Sequence, residues 1–447
     1  MARLKRVLLV TGRYLRENPY RELRIKRLLE SHGVEVALAI PGRDVNRAGF
    51  MSDARNDSVL LQDGACWIGG EWDFRVALRG CQGVLLSSWR SYDWMTAMAR
   101  HAGLPTVGFT ATSGQDHWPN DVDLCLVRSG MASRLLAYFD RTNQLIGYVP
   151  PSRTTIVGSM LHETDEPLGP SMDRESFCLR YGMDPSRKIV TLFPAGVHPY
   201  RVKLAAWHSD WSQSRIDAFI QRMVGDYLEI CKAILHAGCN LLIKLHPAAY
   251  ANYWCQQGEE VDLWHRHVDA RILVPEDARL MFHHMDIGVG INTNSSMDTG
   301  YFTKPFIYVK PDSFDFIVPL VDVREMEACC GIPLGPSSHW HTRPEVSPTP
   351  WMTSWLGHFC RVDQLSELLS DPETFRLDPA HVQIYVEEFW YRNDNRTGER
   401  IVEAALAHFE AALAHPDLAV RWRRLRHFIE PGSFLHWVRK HMRYQGS

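Results

Sequence analysis

Two short segments in the second half of the sequence carry side chains that can bind phosphate. The first consists of Lys244, His246 and Pro247, which follow the apolar run NLLI. Lysine and histidine donate hydrogen bonds to phosphate oxygens, and proline fixes the direction in which the chain leaves a strand. If the run is a buried parallel strand, these residues lie at its carboxyl end, where ligands of such sheets bind. The alternative is a solvated lysine beside a structural histidine.

The second segment, residues 286–305, joins an apolar strand to a polar loop and a helix start. Asn294, Ser295 and Ser296 lie where the helix is expected to begin. The first N–H groups of a helix lack intrahelical partners and carry the positive end of its dipole, and serine hydroxyls add donors. Either serine can also be the N-cap of the helix, a role that is compatible with phosphate binding. We predict that both segments contribute to one phosphate site.

A third, basic segment, FPAGVHPYRVK, extends this prediction. It contains His198, Arg201 and Lys203 and continues directly from another apolar run. Arginine can contact a phosphate through two parallel hydrogen bonds, whereas lysine acts as a point charge. An exposed basic loop without a ligand is the alternative interpretation.

The first half of the sequence contains two candidate proton acceptors. Asp116 and His117 are adjacent in a loop rich in small residues, after the apolar run 106–109. Either can take a proton from a hydroxyl group, and Asp116 is the first choice. Arg13 and Arg16 lie in another loop after a strand, where they can bind an anionic substrate or remain solvated.

Short apolar runs that alternate with helix-compatible stretches must position these residues. In the first half, the pattern predicts strands at 6–10, 34–40, 84–86, 106–109, 124–127 and 154–157, with helices at 20–31 and 93–101. In the second half, strands at 189–193, 239–243, 286–289 and 306–309 alternate with helices at 173–181 and 215–237 and with helix starts at 277 and 295. Such runs are typical of parallel strands that are buried on both faces. The sequence therefore predicts an α/β fold with two doubly wound, Rossmann-like sheets.

The domain boundaries follow from a change of pattern at 162–172, where acids, proline and glycine occur without periodicity. This stretch is predicted to be the interdomain linker. We therefore expect an N-terminal Rossmann-like domain at 1–165 and a C-terminal one at 166–400. Residues 401–447 are predicted to form C-terminal helices with a basic amphipathic tail.

Composition sets broad limits on function. The chain has 447 residues, 45% of them hydrophobic and 23% charged, which is typical of a soluble protein with more than one core. The formal net charge of -3 provides no general attraction for nucleic acid, so no such partner is expected. The 10 cysteines lack CxxC spacing and the paired histidines lack matching ligands, so neither a metal nor a cofactor is expected. No run approaches the ~20 apolar residues of a membrane span, so the predicted location is cytoplasmic.

The C-terminal segment 421–443 interleaves basic residues with aromatic ones. Its arginines and lysines outnumber its single acid, Glu430. Such a segment can bind the surface of an anionic membrane, at ~1 kcal/mol for each basic residue near the lipid. That interpretation places the protein at the inner face of the cytoplasmic membrane. The segment can equally pack as an amphipathic tail on the N-terminal domain, and periodicity does not distinguish the two.

The order of several motifs resembles the C-terminal domain of the GT-B transferases. These motifs are His246-Pro247, the segment Pro275–Asp277, the pair Ser295-Ser296 and the pair Lys304-Pro305. They are most similar to those of bacterial capsule and teichoic-acid enzymes, namely the CDP-glycerol glycerophosphotransferases and the sialyl- and Kdo-transferases that use CMP-sugars. The similarity covers residues 173–309. The first domain departs from these families, because it lacks the Trp-His-Gly triplet of the former and the acidic-acidic-Gly motif of the latter.

The resemblance implies a GT-B fold, in which two Rossmann-like domains face each other across a cleft. It also implies that His246, Ser295 and Ser296 contact the phosphate of a cytidine nucleotide. The full set of residues expected at the donor is Lys244, His246, Pro247, Asn294, Ser295, Ser296, His198, Arg201, Lys203 and Glu276.

The function implied by the resemblance is that of a metal-independent transferase without a cofactor. It would move a sugar or a glycerol-phosphate-type group from a CMP- or CDP-linked donor to a growing surface polysaccharide or a lipid-linked glycan. A base from the N-terminal domain, Asp116 or His117, would take the acceptor proton, and Arg13 and Arg16 would bind the acceptor. Two alternatives stay open: a non-hydrolysing sugar-nucleotide epimerase of the same architecture, and a catalytically silent scaffold that binds nucleotide or glycan.

Overall fold

The chain divides into two compact units. The computed structural model describes residues 4–11, 20–41, 59–87, 93–109, 122–134, 153–160, 162–163, 170–194, 210–245, 259–268, 271–274, 277–291, 293, 295–310 and 355–414. Unit 1 consists of Met1–Glu166 with Glu388–Ser447, and unit 2 of Pro167–Glu387. The sequence analysis assigned residues 388–400 to the second domain, whereas in the structure they group with the first unit.

Unit 1 contains a parallel sheet of seven strands. They are β1 (Arg6–Val10), β2 (Glu35–Pro41), β3 (Cys66–Ile68), β4 (Gly83–Ser87), β5 (Thr106–Phe109), β6 (Leu124–Val127) and β7 (Thr154–Ile156). Their order in the sheet is β3-β2-β1-β4-β5-β6-β7, so the chain reverses its direction of winding between β1 and β4. The four longer helices of this unit are α1 (Tyr20–Ser31), α2 (Glu71–Ala77), α3 (Asp93–His101) and α11 (Thr397–Ala414).

The C-terminal helix α11 completes the core of unit 1. Its buried residues Ile401, Val402 and Phe409 belong to the same apolar cluster as the strands of this sheet. A Cβ atom at Gly83 would lie 2.6 Å from the Phe409 ring, so only glycine allows the helix to approach β4 this closely. The sequence predicted this helix, but its packing against the first sheet is a finding of the structure.

Unit 2 contains a parallel sheet of six strands. They are β8 (Ile189–Phe193), β9 (Asn240–Ile243), β10 (Arg271–Ile272), β11 (Ile287–Gly290), β12 (Phe306–Lys310) and β13 (Gly357–Arg361). Their order is β10-β9-β8-β11-β12-β13. The helices described around this sheet are α4 (Arg174–Arg180), α5 (Gln213–His236), α6 (Glu259–His267), α7 (Ala278–His284), α8 (Ser295–Tyr301), α9 (Leu365–Ser370) and α10 (Pro379–Phe389).

Helices cover both faces of the second sheet. Because alternate residues of a strand point to opposite sides, each strand contributes side chains to both of these contacts. On one face, Leu192, Ile243 and Val289 form a buried cluster with α5, which begins where the Ser212 side chain accepts a hydrogen bond from the Arg215 N–H at 3.3 Å. On the other face, the ring of Phe193 in β8 stacks on Phe282 of α7, with 6.0 Å between the ring centroids. The apolar character of these short strands follows from burial on both sides.

Both sheets are doubly wound, which confirms the predicted α/β fold class. Strands 6–10, 106–109, 124–127 and 189–193 have the predicted bounds. The analysis missed β3, which has three residues, and β13, in which polar and apolar residues mix. Within the described residues, no helix has the length and apolar character that are needed to cross a membrane.

Candidate functional site

The strand order of unit 2 defines one place where a ligand is expected. From β8 the chain first builds β9 and β10 on one side, and it then returns to place β11, β12 and β13 on the other. Connections therefore leave β8 and β11 in opposite directions, which opens a crevice outside their carboxyl ends. These strands end at Phe193 and Gly290, which are register partners. We call this edge the switch-point edge.

Lys244 places a positive charge at this edge. It directly follows β9, and its backbone N–H donates to the Leu192 carbonyl at 3.0 Å, which continues the ladder with β8. The Nζ atom lies 6.0 Å from the centroid of the Phe193 ring. The residue is half-buried, and among the described residues no carboxylate forms an ion pair with it. A contact of this ammonium group with an anionic ligand stays a prediction.

Two glycines let the chain pack closely around the end of β11. A Cβ atom at Gly290 would lie 2.8 Å from Thr293 Cγ2 and 3.4 Å from the Phe193 carbonyl oxygen. A Cβ atom at Gly288 would lie 2.6 Å from the Phe306 ring and 3.0 Å from Thr299 Cγ2 of α8. The strand, the following loop and α8 can therefore approach one another only because side chains are missing here.

The loop between β11 and α8 is held by its own hydrogen bonds. The Ser295 N–H donates to Thr293 Oγ1 at 3.2 Å, and the Ser296 hydroxyl donates to the Thr293 carbonyl at 3.0 Å. Ser296 is fully buried, and its carbonyl accepts a bond of 2.7 Å from the Thr299 hydroxyl. A hydroxyl group has a single hydrogen, and Ser296 uses it in the bond to the Thr293 carbonyl. In this conformation the Ser296 hydroxyl therefore orders the loop. Ser295 is half-buried, and a phosphate contact of either serine stays a prediction.

Most of the other predicted site residues lie outside the described part of the chain. This applies to Arg13, Arg16, Asp116, His117, His198, Arg201, Lys203, His246, Pro247, Glu276 and Asn294, and to the tail 421–443. Of the predicted donor residues, the structure thus describes Lys244, Ser295 and Ser296. They belong to segments that follow two strands of the same sheet, β9 and β11, and β8 alone separates these strands.

Two residues at this edge escaped the sequence analysis. Phe193 was recognised only as a strand end, although its ring lies beneath the Lys244 ammonium. Thr293 was treated as part of the polar loop, although it accepts hydrogen bonds from the residues that open α8. A threonine between two asparagines before a helix is a signal for such a turn. Among the residues that the structure describes, no group of three or more His, Cys, Asp and Glu side chains is arranged for a metal.

Comparisons with known proteins give similarities in structure alone. No protein-family model matches the sequence, and no curated protein matches it either. One solved structure that resembles the chain is a UDP-N-acetylglucosamine 2-epimerase, with a TM-score of 0.49 and 11% identity, over 93% of this chain and 99% of that one. Another is the wall teichoic acid polymerase TagF, with a TM-score of 0.47 and 8% identity, over 92% of this chain and 90% of that one. A third is MurG of Acinetobacter baumannii, with a TM-score of 0.40 and 8% identity, over 90% of this chain and 98% of that one.

Proposed function

We propose that the chain is a transferase whose second unit holds a nucleotide-activated donor at the switch-point edge. The observation that carries this proposal is Lys244, a half-buried cation that directly follows β9 and lies 6.0 Å from the centroid of the Phe193 ring at the end of β8. It forms no ion pair with a described carboxylate. Open α/β sheets bind nucleotides at this position, and an ammonium group there favours a phosphate.

The proposed reaction transfers a sugar or a glycerol-phosphate-type group. The acceptor hydroxyl oxygen forms a bond to the reacting centre of the donor, while the bond from that centre to the nucleotide phosphate oxygen breaks. The negative charge that develops on this phosphate is stabilised by Lys244, together with His246 from the same segment. Asp116 or His117 takes the proton of the hydroxyl group.

The finer assignment is that the donor carries a cytidine nucleotide and the acceptor is a surface polysaccharide or a lipid-linked glycan. It is supported by the order of the sequence motifs from His246-Pro247 to Lys304-Pro305. The same resemblance supports metal-independent catalysis. Membrane contact through residues 421–443 belongs to this proposal as well.

A panel of nucleotides tests the donor assignment. A ligand that binds only the native state raises the melting temperature, so CMP, CDP, UDP, GDP and dTDP can be compared by thermal shift. We expect stabilisation by the cytidine nucleotides, and a reduced shift in Lys244→Gln. The matched control is Lys232→Gln in unit 2, which removes an exposed lysine that is 2.6 Å from Glu229. No shift with any nucleotide, or equal shifts in both variants, would contradict the proposal.

Product analysis separates the transferase from the two alternatives. A transferase consumes the donor only when an acceptor is present, whereas an epimerase converts a nucleotide-sugar without one. Nucleotide binding without turnover would indicate a scaffold. If transfer is observed, Asp116→Ala or His117→Ala should abolish it, and unchanged transfer in both would remove the assignment of the base.

Two further variants test the contacts to the phosphate. His246→Ala should weaken donor binding, because it removes a donor from the segment that contains Lys244. Ser296→Ala should also weaken it, because this hydroxyl holds the Thr293 carbonyl and with it the loop after β11. Donor affinity equal to that of the parent chain in both variants would exclude this phosphate site.

A further inference from the structure

An exposed aromatic surface in unit 1 lies at the edge strand β3 and the start of α2. The side chains of Trp67 and Trp72 are 42% and 63% exposed, although tryptophan is mostly buried in folded proteins. Val76, which follows Trp72 by four residues in the same helix, and Leu61 are exposed as well. Four of the nine large apolar side chains that are exposed in the described part of the chain thus lie within residues 59–79. A cluster of this kind indicates a surface that binds a partner.

Other residues hold these two elements in the fold. In β3, Ile68 is fully buried. In α2, Phe74 is fully buried, and its ring contacts Trp94 of α3 edge-on, with 5.5 Å between the ring centroids. The residues that anchor β3 and α2 are therefore distinct from the exposed tryptophans, and we expect the fold to tolerate substitution of the latter.

Asp73 fixes the turn that separates the two tryptophans. Its Oδ2 atom accepts the Gly69 N–H at 2.8 Å, and a Cβ atom at Gly69 would lie 3.0 Å from the same oxygen. The Asp73 side chain is exposed, and none of the described residues donates a hydrogen bond to its Oδ1 atom. The surface therefore combines two aromatic rings with a carboxylate oxygen that can accept the hydrogen of a hydroxyl group.

This surface lies at the carboxyl edge of the first sheet. Cys66 in β3 is the register partner of Ala39 in β2, and Ala39 is the partner of Val10, the last residue of β1. Trp67 is thus level with the end of β1, at a distance of two strand spacings, or roughly 10 Å. The segment after β1 contains the two arginines that are predicted to bind the acceptor. An acceptor that extends along this edge from β1 would meet the aromatic surface.

The charges around the surface favour an uncharged occupant. The three acids within residues 59–79 are matched by two arginines and by Lys26, which lies 2.9 Å from Asp63. These residues therefore provide no excess of positive charge for an anionic membrane or a nucleic acid. Sugar rings present apolar C–H faces beside hydroxyl groups, and this combination matches indole rings next to a carboxylate.

We propose that Trp67, Trp72 and Asp73 form a subsite for a glycan acceptor and bind sugar units beyond the one that carries the reacting hydroxyl group. The indole rings stack on the apolar faces of the sugars, and Asp73 Oδ1 accepts a hydroxyl hydrogen. This inference rests on the proposed function, because it takes the acceptor to be a glycan.

A printed array of bacterial surface polysaccharides tests the subsite without a donor. We expect the full chain to bind at least one of these glycans. Affinity for that glycan should fall about tenfold in Trp67→Ala/Trp72→Ala, because two stacking contacts are lost. Trp67→Phe/Trp72→Phe should keep most of the affinity, since an aromatic ring remains at both positions. The matched control is Leu179→Ala, which removes an exposed apolar side chain from unit 2.

Absence of binding to the array would overturn the proposal, and so would equal affinity in the alanine double variant and in Leu179→Ala. Binding to phosphatidylglycerol vesicles that depends on the two tryptophans, without binding to a glycan, would also overturn it. Circular dichroism during thermal unfolding checks that the variants are folded. If the double variant does not fold, Trp72→Ala alone decides. We then expect a loss of roughly threefold in affinity, and no loss would reject the subsite.

Transfer assays separate this inference from the proposed function. Nucleotide binding and transfer, with unchanged glycan affinity in the alanine double variant, would reject the subsite alone. Glycan binding that depends on Trp67 and Trp72, without nucleotide binding or transfer, would reject the transferase and keep the glycan-binding surface. Where transfer is observed, the double variant should raise KM for a polymeric acceptor and leave kcat and the KM of the donor unchanged.

Discussion

Each unit has a charged side chain after a strand, but the two charges differ in burial and in their partners. In unit 1, Glu163 accepts hydrogen bonds from the N–H groups of Thr397 and Gly398, the second at 3.1 Å, and lies 3.7 Å from Arg24 Nη1. Its side chain is 2% exposed. In unit 2, Lys244 is half-buried above an aromatic ring and has no ion pair with a described carboxylate.

Under the proposed function, the difference separates a structural charge from one that binds a ligand. The first N–H groups of a helix attract an anion, and in α11 the chain supplies that anion itself through Glu163. Removing a carboxylate from water is costly, so the bonds to the helix and to Arg24 are needed to stabilise it. Lys244 is partly exposed, as the proposed contact with a phosphate requires.

The largest expected effect follows from Glu163→Ala. This change leaves two backbone N–H groups of α11 without their acceptor, whereas the partly buried Arg24 keeps its second carboxylate, Glu399. Leaving a buried donor without its acceptor costs about 1–3 kcal/mol, so we expect a loss of about 2–6 kcal/mol in the free energy of unfolding. Urea unfolding followed by circular dichroism measures it. A change within about 0.5 kcal/mol of the parent chain, as at an ordinary surface position, would refute the structural role of Glu163.

The next effect is expected from Gly290→Ala at the switch-point edge. The added methyl group would lie 2.8 Å from Thr293 Cγ2, so the loop must shift. Overpacking of this kind costs about 1–3 kcal/mol. The control is Gly225→Ala inside α5, where a Cβ atom meets nothing within 4 Å. The control should stabilise the protein by roughly 0.5–1 kcal/mol, because alanine is the better helix former. If both changes have the same sign, the loop does not need glycine.

Local pattern predicted most strands of both sheets, because buried parallel strands leave a compact apolar signal. The run at 189–193 and the helix after Asp173 illustrate this, since the aspartate side chain accepts the Ser176 N–H at 2.7 Å and begins the helix. The same pattern predicted the position of Lys244 at a strand end. By contrast, β13 was missed, because an edge strand with polar residues carries no such signal.

Contacts between distant parts of the chain were beyond local sequence reasoning. Gly83 and Phe409 pack together although they are far apart in the chain, and Glu163 meets the start of α11 in the same way. Such pairings depend on the register of the whole sheet and on which helix covers it. The sequence analysis likewise could not show that the Ser296 hydroxyl is used within its own loop, since capping and ligand binding require the same residue type.

A smaller effect on binding, with none on stability, is expected from Lys244→Gln. The change removes a charge that no described carboxylate balances. We expect nucleotide affinity to fall about tenfold, which corresponds to about 1.4 kcal/mol. The urea midpoint should stay at the value of the parent chain. Isothermal titration with the nucleotide that stabilises the chain most measures the first quantity. If the variant unfolds more easily but binds nucleotide normally, Lys244 is a structural charge like Glu163 and not a ligand contact.

The smallest effect is expected from Glu399→Ala, the matched control for Glu163. Its carboxylate lies 3.1 Å from Nη2 of the same arginine, Arg24, but its side chain is 31% exposed, against 2% for Glu163. Water screens such a pair, and exposed ion pairs contribute about 0–1 kcal/mol. Glu399 is also not an acceptor for the backbone of α11 in the way that Glu163 is. Urea unfolding of both variants under the same conditions therefore measures what burial and the two backbone bonds contribute. Equal losses would show that the charge of Arg24, and not the helix start, determines the stability of this region.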